Sequence, residues 1–197
     1  MNTANKITVS RIILSFILII LLLFPFDKFG IAIPTYLVHG DILIDMRYII
    51  GGVIFVIASL TDFFDGMIAR KYNMVTDFGK MVDAISDKLL TNSVLVILAS
   101  NGMIPTIIAV VFVVRDIFTD SMKMIVGNKG RAVAAIGVAK VKTATLMVGL
   151  TLTFFYDLPF SLINIRISEF LLIISAVLSV ISAVKYYLMA KEYFVTK

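Results

Sequence analysis

The chain has 197 residues, of which 60% are hydrophobic and 16% charged, with a formal net charge of +5, one histidine and no cysteine. Soluble domains run at about 45–50% apolar and roughly 25% charged, so a water-soluble globular enzyme and a disordered tail are both excluded. Without cysteine there is no disulfide scaffold, thiolate zinc site or iron–sulfur cluster, and the composition is that of an integral membrane protein.

A helix needs about 20 mainly apolar residues to cross the hydrocarbon. The first candidate is the uncharged run 12–26, ending at Pro25 and Asp27. Lys6 and Arg11 ahead of it look like the start of a signal peptide, but no small-residue cleavage site follows and five more spans do, so it reads as mature structure. The second run is 48–61. The stretch 89–114 is too long for one helix, and Ser100-Asn101-Gly102 followed by Pro105 reads as a turn. It splits into a helix entering from about Lys80 and another leaving through about Val126. Runs 143–156 and 170–184 complete six spans, and residues 1–197 read as a single all-α transmembrane domain. The segment 27–47, with the lone His39, is too short for a domain of its own, and His39 reads as a solvated loop residue.

Basic residues orient the bundle. Fifteen of the eighteen fall before span one, between spans two and three, between spans four and five, or after span six; only Lys28, Arg47 and Arg166 fall on the other side. Both termini are therefore expected in the cytosol.

Several apolar runs are too short to span unless charged residues are counted into the helices. Those residues are Arg11, Asp62, Asp65, Asp83, Asp87, Arg115, Lys140 and Lys142, all at the cytosolic ends. Snorkelling explains lysines such as Lys71, Lys80 and Lys185. It does not explain aspartates, whose short side chains cannot reach the headgroups, and ionisable groups at membrane depth mark function. A polar pocket open to the cytosol is expected.

Asp62, Asp65, Gly66 and Ala69 stand at i, i+3, i+4 and i+7, one helical stripe, and Gly79, Asp83 and Asp87 at i, i+4 and i+8 form a second. A reversal between them brings the stripes face to face. Four converging carboxylates repel one another unless cations intervene, and two divalent ions balance the charge. All-oxygen ligands suit Mg²⁺ or Mn²⁺, and a two-metal clamp suits displacement at phosphorus. Gly66, Ala69 and Gly79 either let a bulky flat group approach the backbone or serve close helix packing.

The pattern Asp62-x-x-Asp65-Gly66-x-x-Ala69-Arg70, eight residues, then Gly79-x-x-x-Asp83-x-x-x-Asp87 resembles the signature of the CDP-alcohol phosphatidyltransferases at every position. That resemblance implies a six-helix membrane fold, usually homodimeric, which moves a phosphatidyl group from a CDP-linked lipid to an alcohol and releases CMP. It implies that Asp62, Asp65 and Asp83 hold metal, with Asp87 as a further ligand or the general base. Asp62, Gly66, Ala69, Arg70 and Gly79 would line the CDP moiety. Asn5-x-x-Thr8-x-x-Arg11 is similar to the family's opening element, with Asn5 and Thr8 bordering the nucleotide or anchoring the first helix.

Arg115-Asp116 and Ala139-Lys140-Val141-Lys142-Thr143 resemble elements of the bacterial phosphatidylglycerophosphate synthases within that family. Two positions depart from the pattern, Ala139 for glycine and Asp116 for glutamate. The resemblance implies CDP-diacylglycerol and glycerol 3-phosphate as substrates in the bacterial plasma membrane, with no nucleic-acid partner. A dianionic acceptor entering a carboxylate-rich pocket needs cations, and Arg115, Lys140 and Lys142 are the candidates. Lys140 and Lys142, at i and i+2, do not share a helix face, so only one of them is expected to touch the phosphate unless the helix starts between them. The competing readings are a sister enzyme that uses inositol phosphate or serine, and a cation transporter, against which stand the one-sided charges and the lack of an internal repeat.

Overall fold

The computed structural model describes residues 3–38, 42–71, 77–127 and 137–191. Six helices account for most of them: α1 (Thr3–Leu23), α2 (Met46–Lys71), α3 (Asp77–Ser100), α4 (Thr106–Gly127), α5 (Gly137–Phe154) and α6 (Ile167–Ala190). Each of the six predicted segments is a helix. As expected, the helices run on past the apolar stretches to include Arg11, Asp62, Asp65, Asp83, Asp87, Arg115, Lys140 and Lys142. The turn between α3 and α4 falls at the predicted site, where Gly102 takes φ +70°, a left-handed conformation that glycine adopts without steric cost.

One feature departs from an all-α fold. Between α1 and α2, strands β1 (Thr35–Val38) and β2 (Ile42–Asp45) pair antiparallel, Thr35 opposite Asp45 and Val38 opposite Ile42. The predicted loop is thus partly a hairpin, because residues 35–38 and 42–45 are rich in β-branched and large apolar side chains. Its Asp45 N–H donates to the Tyr156 hydroxyl at 2.9 Å, and Asp45 also holds the Arg47 guanidinium. His39 lies outside the described residues.

The core is built where all six helices meet, around Leu18, Phe55, Leu95, Leu98, Phe112, Leu150, Phe154 and Leu172. Two glycines allow this approach. A Cβ on Gly52 of α2 would lie 2.8 Å from Phe154 Cβ, and one on Gly149 of α5 would lie 3.0 Å from the Leu172 side chain of α6.

The distribution of polarity is inverted relative to a water-soluble bundle. Ile13, Phe16, Ile17 and Ile20 on α1, Ile107, Val110, Val114 and Ile117 on α4, and Phe170, Ile173, Val177 and Val180 on α6 all face outward. Arg11, Ser15, Thr91, Lys142, Ser175, Ser179 and Ser182 are buried inside. Apolar surface on this scale is stable only against lipid or a partner, and interior polar groups of a membrane bundle bond to one another. Among the described residues, α6 is the helix long and apolar enough to cross a bilayer by its composition alone, with a shorter apolar helix over Thr8–Leu23. The other helices carry the charges of the pocket and fall short on that count.

Candidate active site

The first cluster forms where α1 brings an arginine between two other helices. Arg11, 1% exposed, pairs with Asp62 Oδ1 on α2 and, at 2.5 Å, with Asp83 Oδ1 on α3. It also donates to the Ser86 hydroxyl one helical turn farther along α3. Asp62 of the first acidic stripe and Asp83 of the second thus share one guanidinium of α1. Both carboxylates remain accessible, Asp62 at 38% and Asp83 at 57%.

Asp87 sits one turn beyond Asp83, and with Asp62 it lines a cavity of about 1020 Å³ walled by α2, α3, α4, α5 and α6. Basic residues line the same cavity, several of them paired with acids. Arg115 and Asp116 of α4 form an ion pair at 2.9 Å, and Arg115 is steadied by the Ser182 hydroxyl and by the Ser179 carbonyl at 3.3 Å, both on α6. Lys88 of α3 pairs with Asp120 of α4. Lys123 lies 5.3 Å from the Tyr186 ring centroid.

Lys142 differs from these. Its side chain is buried, with Nζ 5.1 Å from the Phe112 ring centroid. Among the described residues no carboxylate stands at ion-pair distance from it, although Asp87 and Asp116 line the same cavity. Ser175 of α6 donates to its carbonyl at 2.7 Å and fixes the register of α5 there. Lys140 lines the same cavity but is exposed. A helix rotates about 200° over two residues, so burial of Lys142 leaves Lys140 at the rim.

The other predicted residues are distributed as follows. Gly79 lies in the first turn of α3, half-buried, and Thr8 is buried on α1. Asn5 lies on α1 and Asp65, Gly66, Ala69 and Arg70 lie on α2, but their side chains fall outside the described residues. Of the four carboxylates expected to converge, Asp62 and Asp83 share Arg11, Asp62 and Asp87 line one cavity, and the Asp65 side chain lies outside the described residues. Sequence reasoning singled out neither the Arg11 bridge nor Ser86, Lys88 and Asp120. Arg11 carried one usable signal, its i+3 spacing from Thr8 at the head of an apolar run.

A sequence profile of the CDP-alcohol phosphatidyltransferases matches residues 1–185. The chain belongs to that family. It is a transferase. It is 34% identical over 168 residues to a CDP-diacylglycerol–glycerol-3-phosphate 3-phosphatidyltransferase of Bacillus subtilis (strain 168), covering 85% of this chain and 84% of the relative. A protein of the same name from Rickettsia bellii (strain RML369-C) is 34% identical over 164 residues, 83% of this chain and 91% of the relative. One from Rickettsia typhi (strain ATCC VR-144 / Wilmington) is 32% identical over 194 residues, 98% of this chain and 99% of the relative.

CDP-alcohol phosphatidyltransferases depend on divalent metal. Among the described residues no three carboxylates or imidazoles stand close enough to hold an ion. Two of the expected ligands, however, already converge on a single cation, the Arg11 guanidinium. Their donors are hard carboxylate oxygens on facing helices, and that donor set fits Mg²⁺ or Mn²⁺.

Proposed function

We propose that this phosphatidyltransferase moves the phosphatidyl group of CDP-diacylglycerol to glycerol 3-phosphate, giving phosphatidylglycerophosphate and CMP. The observation that carries the acceptor is Lys142. A buried ammonium without a carboxylate partner is costly, and it is relieved when an anion enters beside it. The relatives that share this chain's length carry names specifying glycerol 3-phosphate, whose phosphate is such an anion. Arg115 and Lys88 are already engaged by Asp116 and Asp120, so they shape the cavity, while Lys140 guides the acceptor at the rim.

Asp87 faces the same cavity as Lys142. With the acceptor's phosphate on Lys142, its primary hydroxyl lies toward Asp87, which takes the proton as general base. The freed oxygen forms a bond to the lipid-side phosphorus. The bond from that phosphorus to the bridging oxygen breaks, and its electron pair leaves on CMP. Asp62, Asp65 and Asp83, with or without Asp87, would hold two divalent ions. When bound, these ions compensate charge on the attacking and leaving oxygens. Gly66, Ala69, Arg70 and Gly79, with Asn5 and Thr8, would border the cytidine diphosphate.

All six helices would span the bilayer, with both termini and the cavity at the cytosolic face. The one-sided distribution of basic residues and the outward apolar belt support that topology. Acyl chains then stay in the lipid while the headgroup chemistry proceeds in the polar pocket.

The test offers glycerol 3-phosphate, serine and inositol phosphate to the purified protein with CDP-diacylglycerol and Mg²⁺, and measures CMP. Glycerol 3-phosphate alone should support turnover. Equal turnover with serine or inositol phosphate overturns the acceptor assignment, and no CMP from any of the three favours an ion-transport role for the aspartates.

A further inference from the structure

The reaction as described leaves Arg11 without a task, although it is the largest of the almost fully buried side chains. Its guanidinium joins three helices. From α1 it reaches Oδ1 of Asp62 on α2, Oδ1 of Asp83 on α3 and the hydroxyl of Ser86 on α3. Ser86 in turn donates to the Asp83 carbonyl at 3.0 Å, so the hydroxyl that receives Arg11 is itself fixed to the Asp83 backbone. Only one oxygen of each carboxylate is used. Among the described residues, Oδ2 of Asp62 and Oδ2 of Asp83 have no partner, and both side chains are partly exposed.

We infer that Arg11 is the positioning residue of the divalent-metal site: it pins Asp62 and Asp83 through one oxygen each and leaves the second oxygen of each for the ion. The inference rests on the metal-dependent transfer proposed above. A planar guanidinium can fork to two acceptors on different helices, whereas an ammonium at the end of a flexible stem acts as a point charge. Groups that orient metal ligands from behind contribute strongly to affinity, and their loss typically weakens metal binding about 10- to 100-fold. Arg11 also holds α2 and α3 at a fixed spacing before any ion arrives, so the site need not gather its ligands from two helices on binding.

The test measures Mn²⁺ binding to the full chain in detergent, by the electron paramagnetic resonance signal of free Mn²⁺, without substrate. Arg11→Lys keeps the charge and removes the fork, and should weaken binding about 10- to 100-fold with helix content unchanged. Ser86→Ala keeps both carboxylates and Arg11, and should give a smaller loss in the same direction. It decides the matter alone if Arg11→Lys does not fold. Wild-type or tighter Mn²⁺ binding in the folded variants overturns the role of Arg11. Failure of the wild-type chain to bind Mn²⁺, or binding undiminished by Asp83→Asn, overturns the metal site itself and this inference with it, a result distinct from failure of the arginine alone.

Discussion

Replacing Lys142 by methionine separates what the acceptor site costs the empty protein from what it contributes to the loaded one. The side chain is 7% exposed and its ammonium lies against the Phe112 ring, with no carboxylate at ion-pair distance among the described residues. When the acceptor phosphate binds, the lost interaction is a charge-assisted hydrogen bond worth about 1.5–3 kcal/mol. At 1.4 kcal/mol per factor of ten, that corresponds to a rise of roughly 10- to 150-fold in KM for glycerol 3-phosphate. Because the phosphate is remote from the reacting hydroxyl, kcat should change little. The empty protein loses a cation–π contact of about 0.5–2 kcal/mol. It is also relieved of a desolvated ammonium of at least comparable cost, so Tm should hold or rise. Lys140→Met, at the exposed rim, should raise KM by no more than about fivefold. CMP release against glycerol 3-phosphate concentration, with thermal unfolding in the same detergent, reads both quantities. An unchanged KM in Lys142→Met with a raised KM in Lys140→Met would refute the assignment. So would a fall of many degrees in Tm for Lys142→Met.

Three further outcomes are expected. Asp87→Asn should abolish CMP release while binding of CDP-diacylglycerol survives, and near-normal turnover would remove Asp87 as the base. Gly52→Ala drives a Cβ to 2.8 Å from Phe154 Cβ and should cost about 1–3 kcal/mol of stability, seen as a lowered Tm; Gly30→Ala, in open space but at φ +73°, tests the backbone contribution separately. Because the chain has no cysteine, single cysteines at Lys28 and Lys185 report topology cleanly. A membrane-impermeant maleimide added outside intact cells should label Lys28→Cys and spare Lys185→Cys, and the reverse pattern would invert the proposed orientation.

The candidate acidic residues were legible because their pattern is written in local spacing. Asp62 with Asp65 and Asp83 with Asp87 lie on single helices, so helical periodicity alone predicts that each pair shares a stripe. The helix ends were legible for a related reason: aspartates too short to snorkel had to be counted into the spans. Arg11 was not legible in the same way. A basic residue ahead of an apolar run fits positive-inside topology equally well, and only the packing of α1 against both α2 and α3 brings its guanidinium between Asp62 and Asp83. Which of Lys140 and Lys142 turns inward depends on the rotation of α5, where Ser175 of another helix donates to the Lys142 carbonyl. The hairpin after α1 escaped because two four-residue strands carry too little periodicity to stand out from a loop.

The contrast between α6 and its neighbours bears on how the protein reaches its membrane. The α6 helix is the described element with the length and composition to partition into lipid unaided, and it carries its serines on the buried side, where they grip Arg115 and the α5 backbone. In the six-span topology proposed above, the segments bearing the aspartates and lysines would have much less tendency to leave the translocation machinery singly, since a charge at bilayer depth is penalised until a countercharge meets it. On that topology biogenesis should be concerted, with α1, α2 and α3 released laterally as a group once Arg11 has found its two carboxylates. An enzyme whose chemistry requires acid inside a membrane then acquires a dependence on assembly order that a purely apolar bundle would not have.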